Sequence, residues 1–204
     1  VVLLSGKASS AGEKATFANL SSRMRQACEL ADQSDVLIMY FAGHGITIEG
    51  KSYLVPANGG TKRTSIPLEW VKRKMAESNA KSKILVIDAC HSGKTARGVQ
   101  GIQPSAHSNR NLVMISSCTK EQLSYSKDEH GVFSSFFAQS LSQEGDSNGD
   151  GKITAREAFQ YVNARMKDWC LETGKTQTPQ MIPQSASKQV IGRLKGSNEK
   201  EGER

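Results

Sequence analysis

Apolar residues in this chain follow two rhythms. Short runs that are apolar throughout, or except for a polar residue at one end, occur at residues 1–4 (VVLL), 35–41 (DVLIMYF), 83–87 (KILVI) and 112–116 (LVMIS). Runs this short, bounded by small or polar residues, predict strands buried on both faces. Between them, apolar positions recur three and four apart. Phe17, Leu20, Met24, Ala27, Cys28 and Ala31 predict an amphipathic helix over 15–31, with Cys28 in the core. A second helix is expected over 66–75, with Pro67 in its first turn and Trp70, Val71 and Met75 inward. A third is expected over 132–141, with Phe133, Phe136, Phe137 and Leu141 for packing. A fourth follows a loop at 146–157 and ends near Thr173-Gly174. Residues 46–55 alternate around Gly50 and predict a hairpin. Residues 175–183 should be extended, 189–194 should form a last strand, and 196–204 should be disordered.

Strands alternating with helices predict an α/β fold with a mostly parallel sheet and right-handed crossovers. The crossover from the 35–41 strand to the 83–87 strand would set the two side by side. Each is followed by a small, turn-forming motif, Ala42-Gly43-His44-Gly45 and Asp88-Ala89-Cys90-His91-Ser92-Gly93. Both motifs then lie at the carboxyl edge, where open α/β sheets place their sites. A thiol becomes a nucleophile near neutral pH through a base or a positive neighbour. His44 is the candidate base for Cys90, and the amides of Gly45 and Cys90 are candidate oxyanion donors. The plainer reading is that His44 only follows a strand and Cys90 is a buried hydrophobe. His91 should face away from the cleft, because side chains alternate along a strand. Asp88 lies two before Cys90 and shares its face. It could cap a loop amide, or floor a pocket for a basic side chain.

Composition narrows the function classes. The net charge is +7, but the 27 Lys and Arg are dispersed and aromatics are 6%. The one basic triplet, Lys72-Arg73-Lys74, reads as a solvated helix face, so nucleic acid is not the expected partner. Four cysteines at 28, 90, 118 and 170 show no CxxC spacing, which points away from zinc knuckles and disulfide frames. A reduced thiol favours an intracellular, cytoplasmic setting. No apolar run approaches the ~20 residues of a membrane span, and no signal-peptide pattern appears. The chain opens on Val1 rather than Met, as a fragment or processed form would.

The segments Tyr40-Phe41-Ala42-Gly43-His44-Gly45 and Asp88-Ala89-Cys90-His91-Ser92-Gly93 resemble the two signatures of the caspase-like cysteine peptidases. The DACHSG form is most similar to metacaspases and bacterial orthocaspases. Positions 44 and 90 agree with a His about 50 residues before the Cys. Ala15-Thr16, His130-Gly131-Val132-Phe133 and Gln177-Thr178-Pro179-Gln180 also look similar, so the likeness covers most of residues 1–183. Residues 184–204 would add a strand and a polar tail.

The resemblance implies an endopeptidase with His44 and Cys90 as its dyad. It implies that Asp88 selects Arg or Lys before the scissile bond of protein or peptide substrates. It places 121–125 along the cleft, with Glu121, Ser124 and Tyr125 at the substrate. In many relatives the loop after the catalytic Cys is self-cleaved; here 92–111 holds Lys94, Arg97 and Arg110. An ordinary surface loop is the alternative. Two features depart from the family. Its first core strand and following helix are absent, so a missing N-terminal segment or partner chain is expected. Ala42 also stands where many metacaspases carry Ser.

Residues 146–157 fit the EF-hand pattern. Asp146, Asn148 and Asp150 would offer side-chain oxygens to calcium, Lys152 its carbonyl, Thr154 a direct or water-mediated contact, and Glu157 both oxygens. Gly151 would allow the sharp turn. The alternative is a polar turn in which Thr154 and Glu157 form a capping box. For the whole chain, an inactive caspase-like scaffold that binds a partner is the competing function.

Overall fold

The computed structural model describes residues 1–90, 112–119, 122–127, 130–183 and 188–194. Its centre is a six-stranded sheet. The strands are β1 (Val36–Ile48), β2 (Lys51–Val55), β3 (Ile66–Pro67), β4 (Ser82–Cys90), β5 (Leu112–Ser116) and, later in the chain, β9 (Gln180–Ile182). Their order is β3-β2-β1-β4-β5-β9. The central trio β1, β4 and β5 is parallel, and antiparallel strands flank it on both sides. Two short pairs complete the strands. One joins β6 (Ser126–Lys127) to β7 (His130–Gly131), and the other joins β8 (Lys152–Thr154) to β10 (Val190–Arg193).

Helices α1 (Phe17–Leu30) and α2 (Leu68–Glu77) cover one face of the sheet. Leu37, Met39 and Phe41 of β1 and Leu85 and Ile87 of β4 point into that layer. Helices α3 (Val132–Gln139) and α4 (Ala155–Thr173) cover the other face. There Ile84, Val86, Val113 and Ile115 meet Phe133, Val162 and Met166, all without solvent exposure. Complete burial of each such side chain contributes roughly 1.5–3 kcal/mol.

Local chemistry sets the ends of these elements. The Thr16 hydroxyl caps α1 by accepting from the Asn19 amide. Thr154 and Glu157 close a capping box on α4, and Gly174 ends that helix in the left-handed region at φ 66°. Glu49 and Gly50 both have positive φ, the two-residue hairpin turn that joins β1 to β2.

Four expectations are corrected. Residues 1–4 form no strand, and Val1, Val2 and Leu3 are exposed, with no described strand paired to them. The 35–41 run is buried on one face only; Val36, Ile38 and Tyr40 are 41–43% exposed. They lie on the α3/α4 side, at the margin of that helical layer. β2 pairs with β1 only over residues 44–48, so no described strand pairs with the outer edge of Val36 to Gly43. Third, the strand does not stop at the Gly-His-Gly motif but runs through it to Ile48. Fourth, Ile66–Pro67 is a strand and the helix starts at Leu68, with Pro67 as its N-cap. Within the basic triplet of α2, Lys72 is buried along its stem and bonded to Glu69 at 2.5 Å, while Arg73 stays exposed.

The asymmetry of β1 has a measurable consequence. Ile84→Ala should cost about 2–5 kcal/mol in chemical denaturation. Ile38→Thr should cost under about 1 kcal/mol, because its side chain is already partly exposed to water. Equal costs would show that the β1 face is covered in solution.

Candidate active site

The central fact of the site is a register. β1 and β4 are parallel neighbours with Val36 opposite Ser82, and the pairing runs without slip to His44 opposite Cys90. Adjacent strands lie about 4.8 Å apart, so the backbones at 44 and 90 are within side-chain reach of each other. His44 is exposed. It also sits where β1 changes partner, since His44 opposes Val55 of antiparallel β2 on its other side. Gly45 follows, buried and opposite Leu54. Cys90 therefore ends β4 at the carboxyl edge of the sheet, while His44 is held inside a continuous strand.

Asp88 is the buried charge of the site, at 6% exposure. Its Oδ1 accepts from the Ser124 hydroxyl at 2.6 Å, and its Oδ2 accepts from the Ser134 hydroxyl. A hydroxyl has one proton. Ser134 gives its proton to Asp88, so the Tyr40 hydroxyl must be the donor in the Tyr40–Ser134 bond. Burial of the Tyr40 hydroxyl pushes its pKa up to about 12, and the Asp88 charge adds to it. The residue as a whole remains half-exposed. Gly131 closes the other side of the carboxylate. A Cβ there would collide with Asp88 Oδ2, so the residue has no space for a side chain.

Ser124 is held in turn by Gln177, whose Nε2 donates to the Ser124 hydroxyl at 3.0 Å. Gln177 Oε1 accepts from the Tyr125 amide at 2.9 Å. The Tyr125 ring packs 5.6 Å from Trp169, and the Lys175 ammonium lies 4.7 Å from the Tyr125 centroid.

Of the expected site residues, the fold brings His44, Gly45, Asp88 and the backbone of Cys90 to one edge, with Ser124 on Asp88 and Tyr125 beside it. Glu121, Lys94, Arg97, Arg110 and His91 lie outside the described residues. Tyr40, Ser134, Gly131 and Gln177 were not singled out as site residues. Tyr40 was hidden in an apolar strand and Ser134 in an apolar helix. Gln177 stood in a noted motif with no role attached. No local pattern marks a hydroxyl that will face a carboxylate 36 or 46 residues away.

The loop at 146–157 is a separate feature. Asp146 accepts from the amides of Gly149, Asp150 and Gly151, Asn148 from Asp150, and Asp150 from Lys152. Gly149 and Gly151 both have positive φ. Glu157 is buried and accepts from the Thr154 amide and hydroxyl and from Ser147. Burial alone would raise its pKa, but those bonds and the Asn148 amide outweigh it and lower the value. The carboxylates thus organise the loop's own backbone, and the capping box is present. Among the described residues no group of three or more His, Cys, Asp or Glu side chains is placed to hold a metal ion.

With this geometry in view, comparison with known proteins is direct. The model of the caspase domain, a peptidase family, matches residues 7–191. The chain belongs to the caspase-domain peptidases. This caspase-domain chain also shares its fold with protein GSU0716 of Geobacter sulfurreducens, at TM-score 0.61 and 16% identity, covering 90% of this chain and 81% of that one. No curated protein matches it by sequence. No helix among the described residues is long and apolar enough to cross a membrane.

Cys28 is the thiol most clearly excluded from chemistry in this caspase domain. Burial pushes its pKa up to about 11, against smaller opposing effects from Lys74 and Lys83. At pH 8 it stays protonated as well as enclosed. Iodoacetamide at pH 8 should therefore modify Cys28 in the native protein at least about tenfold more slowly than the partly exposed Cys118 or Cys170. Comparable rates, read by peptide mass spectrometry, would contradict that placement.

Proposed function

We propose that this caspase-domain protein is a cysteine endopeptidase of metacaspase or orthocaspase type. Cys90 is its nucleophile, His44 its base, and Arg or Lys its preferred residue before the scissile bond. The observation that carries the reading is the register of His44 opposite Cys90 on adjacent parallel strands. His44 takes the thiol proton as sulfur attacks the scissile carbonyl carbon. The carbonyl oxygen becomes an oxyanion facing the amides of Gly45 and Cys90. The imidazolium then gives its proton to the departing amine, leaving a thioester on Cys90. Water, deprotonated by His44, cleaves the thioester and returns the free thiol.

Two features support the basic preference. Asp88 is two residues before the nucleophile in the same strand. A carboxylate presents about four acceptor directions, more than the Ser124 and Ser134 hydroxyls occupy. A guanidinium matches such a carboxylate with two parallel N–H donors, and an ammonium with one. An Asp side chain entering the same pocket would meet a like charge. Self-processing at Lys94, Arg97 or Arg110 is part of the same reading, since a basic preference makes those loop positions substrates.

Hydrolysis of Arg, Lys and Asp reporter peptides, with and without calcium, tests it. Arg and Lys reporters should be cleaved and the Asp reporter not. Cys90→Ala and His44→Ala should each lower kcat by about 10³-fold or more. Absence of hydrolysis of any reporter with His44 and Cys90 intact would favour a partner-binding scaffold. Preferred cleavage after Asp would overturn the role of Asp88.

A further inference from the structure

We propose, resting on the basic-residue pocket just described, that Gln177 is the positioning residue that holds this pocket in its binding geometry. Gln177 is 3% exposed and lies between α4 and β9. Its side-chain amide makes three bonds. Nε2 donates to the Ser124 hydroxyl at 3.0 Å and to the Ser117 carbonyl at 3.0 Å, and Oε1 accepts from the Tyr125 amide at 2.9 Å. These partners fix which end of the amide is which. Exchanging oxygen and nitrogen would face Oε1 with a carbonyl and Nε2 with an N–H.

The consequence for Asp88 follows from proton counting. The single Ser124 proton is on the 2.6 Å bond to Asp88 Oδ1. Ser124 Oγ must therefore be the acceptor for Gln177 Nε2. Gln177 thus sets the rotation of the hydroxyl that touches the specificity carboxylate, and the two bonds polarise each other in series. The same amide fixes the Tyr125 backbone next to that hydroxyl. A buried glutamine with three partners in the 117–125 stretch, 52 to 60 residues away in sequence, joins two chain segments at the pocket wall.

A neighbouring bond provides an internal control. Gln122 Nε2 donates to Thr178 Oγ1 at 3.1 Å and Gln122 Oε1 accepts from the Thr178 amide at 2.7 Å, tying the same two segments together without reaching Ser124 or Asp88. Thr178→Val removes the side-chain bond and keeps the backbone one. If side-chain bonds between the segments counted alike, either loss would act alike. If Gln177 positions the pocket, only its loss should alter binding of a basic side chain.

Steady-state kinetics with an Arg reporter separate these cases. Gln177→Leu and Gln177→Glu should each raise KM about tenfold, the effect of losing one hydrogen bond to a charged network, with kcat within about threefold. Gln177→Glu keeps the acceptor for Tyr125 and nearly the same volume, and lacks the donors. Thr178→Val should leave KM within about twofold. In a Ser124→Ala background, Gln177→Leu should add almost nothing, because its effect passes through that hydroxyl. Additive effects, or a fall in kcat at unchanged KM, would overturn the proposal. If wild type cleaves no Arg reporter, the peptidase reading fails separately, and amide exchange at Tyr125 decides the positioning role. Exchange there should be at least about tenfold faster in Gln177→Leu but not in Gln177→Glu or Thr178→Val. Equal protection in wild type and Gln177→Leu would overturn it.

Discussion

The parallel pairing of β1 with β4 is the constraint on which the rest of this structure depends. It extends over nine residue pairs, from Val36 opposite Ser82 to His44 opposite Cys90. A slip of one residue would turn every side chain of one strand to the other face. Two packed layers oppose such a slip. Leu37, Met39 and Phe41 would leave the core beneath α1 and α2, and Ile84 and Val86 would leave Phe133 and Val162. Hydrophobic burial along the strands therefore sets which residue of β1 meets position 90. The placement of His44 opposite Cys90 takes its geometry from the core.

Charge is placed on that frame by a different rule. A buried carboxylate is costly unless donors converge on it, and Asp88 is served by hydroxyls from two directions. Tyr40 reaches it through Ser134, and Gln177 through Ser124. The donors come from β1, α3 and the segments around 124 and 177, so Asp88 ties β4 to elements distant in sequence. This arrangement also accounts for Gly131, where a side chain would occupy the carboxylate's own space.

Much of this was legible in the sequence because it is written in local periodicity. The buried runs at 83–87 and 112–116 became β4 and β5, and the helical spacing from Phe17 to Cys28 became α1. The hairpin at Gly50 and the helix stop at Gly174 were marked by glycine. What was not legible depends on partners. DVLIMYF looks like a strand buried on both faces, but whether Val36 and Ile38 are covered depends on what lies beside β1. Residues 1–4 have strand composition and no described strand to join. Lys72 looked like part of a solvated basic face until its stem was seen against the core. The Tyr40, Ser134 and Gln177 contacts arise only from long-range folding. The EF-hand spacing of 146–157 was legible, and the structure adds the loop's use of its own amides and its capping box.

The most direct measurement of the central claim is covalent labelling with two irreversible thiol-reactive peptides that differ only in carrying Arg or Asp next to the reactive carbonyl, followed by peptide mapping. The account predicts one adduct per chain, on Cys90, formed by the Arg reagent, and lost in His44→Ala. Labelling of Cys118 or Cys170 instead, or equal labelling of Cys90 by both reagents with or without His44, would contradict it.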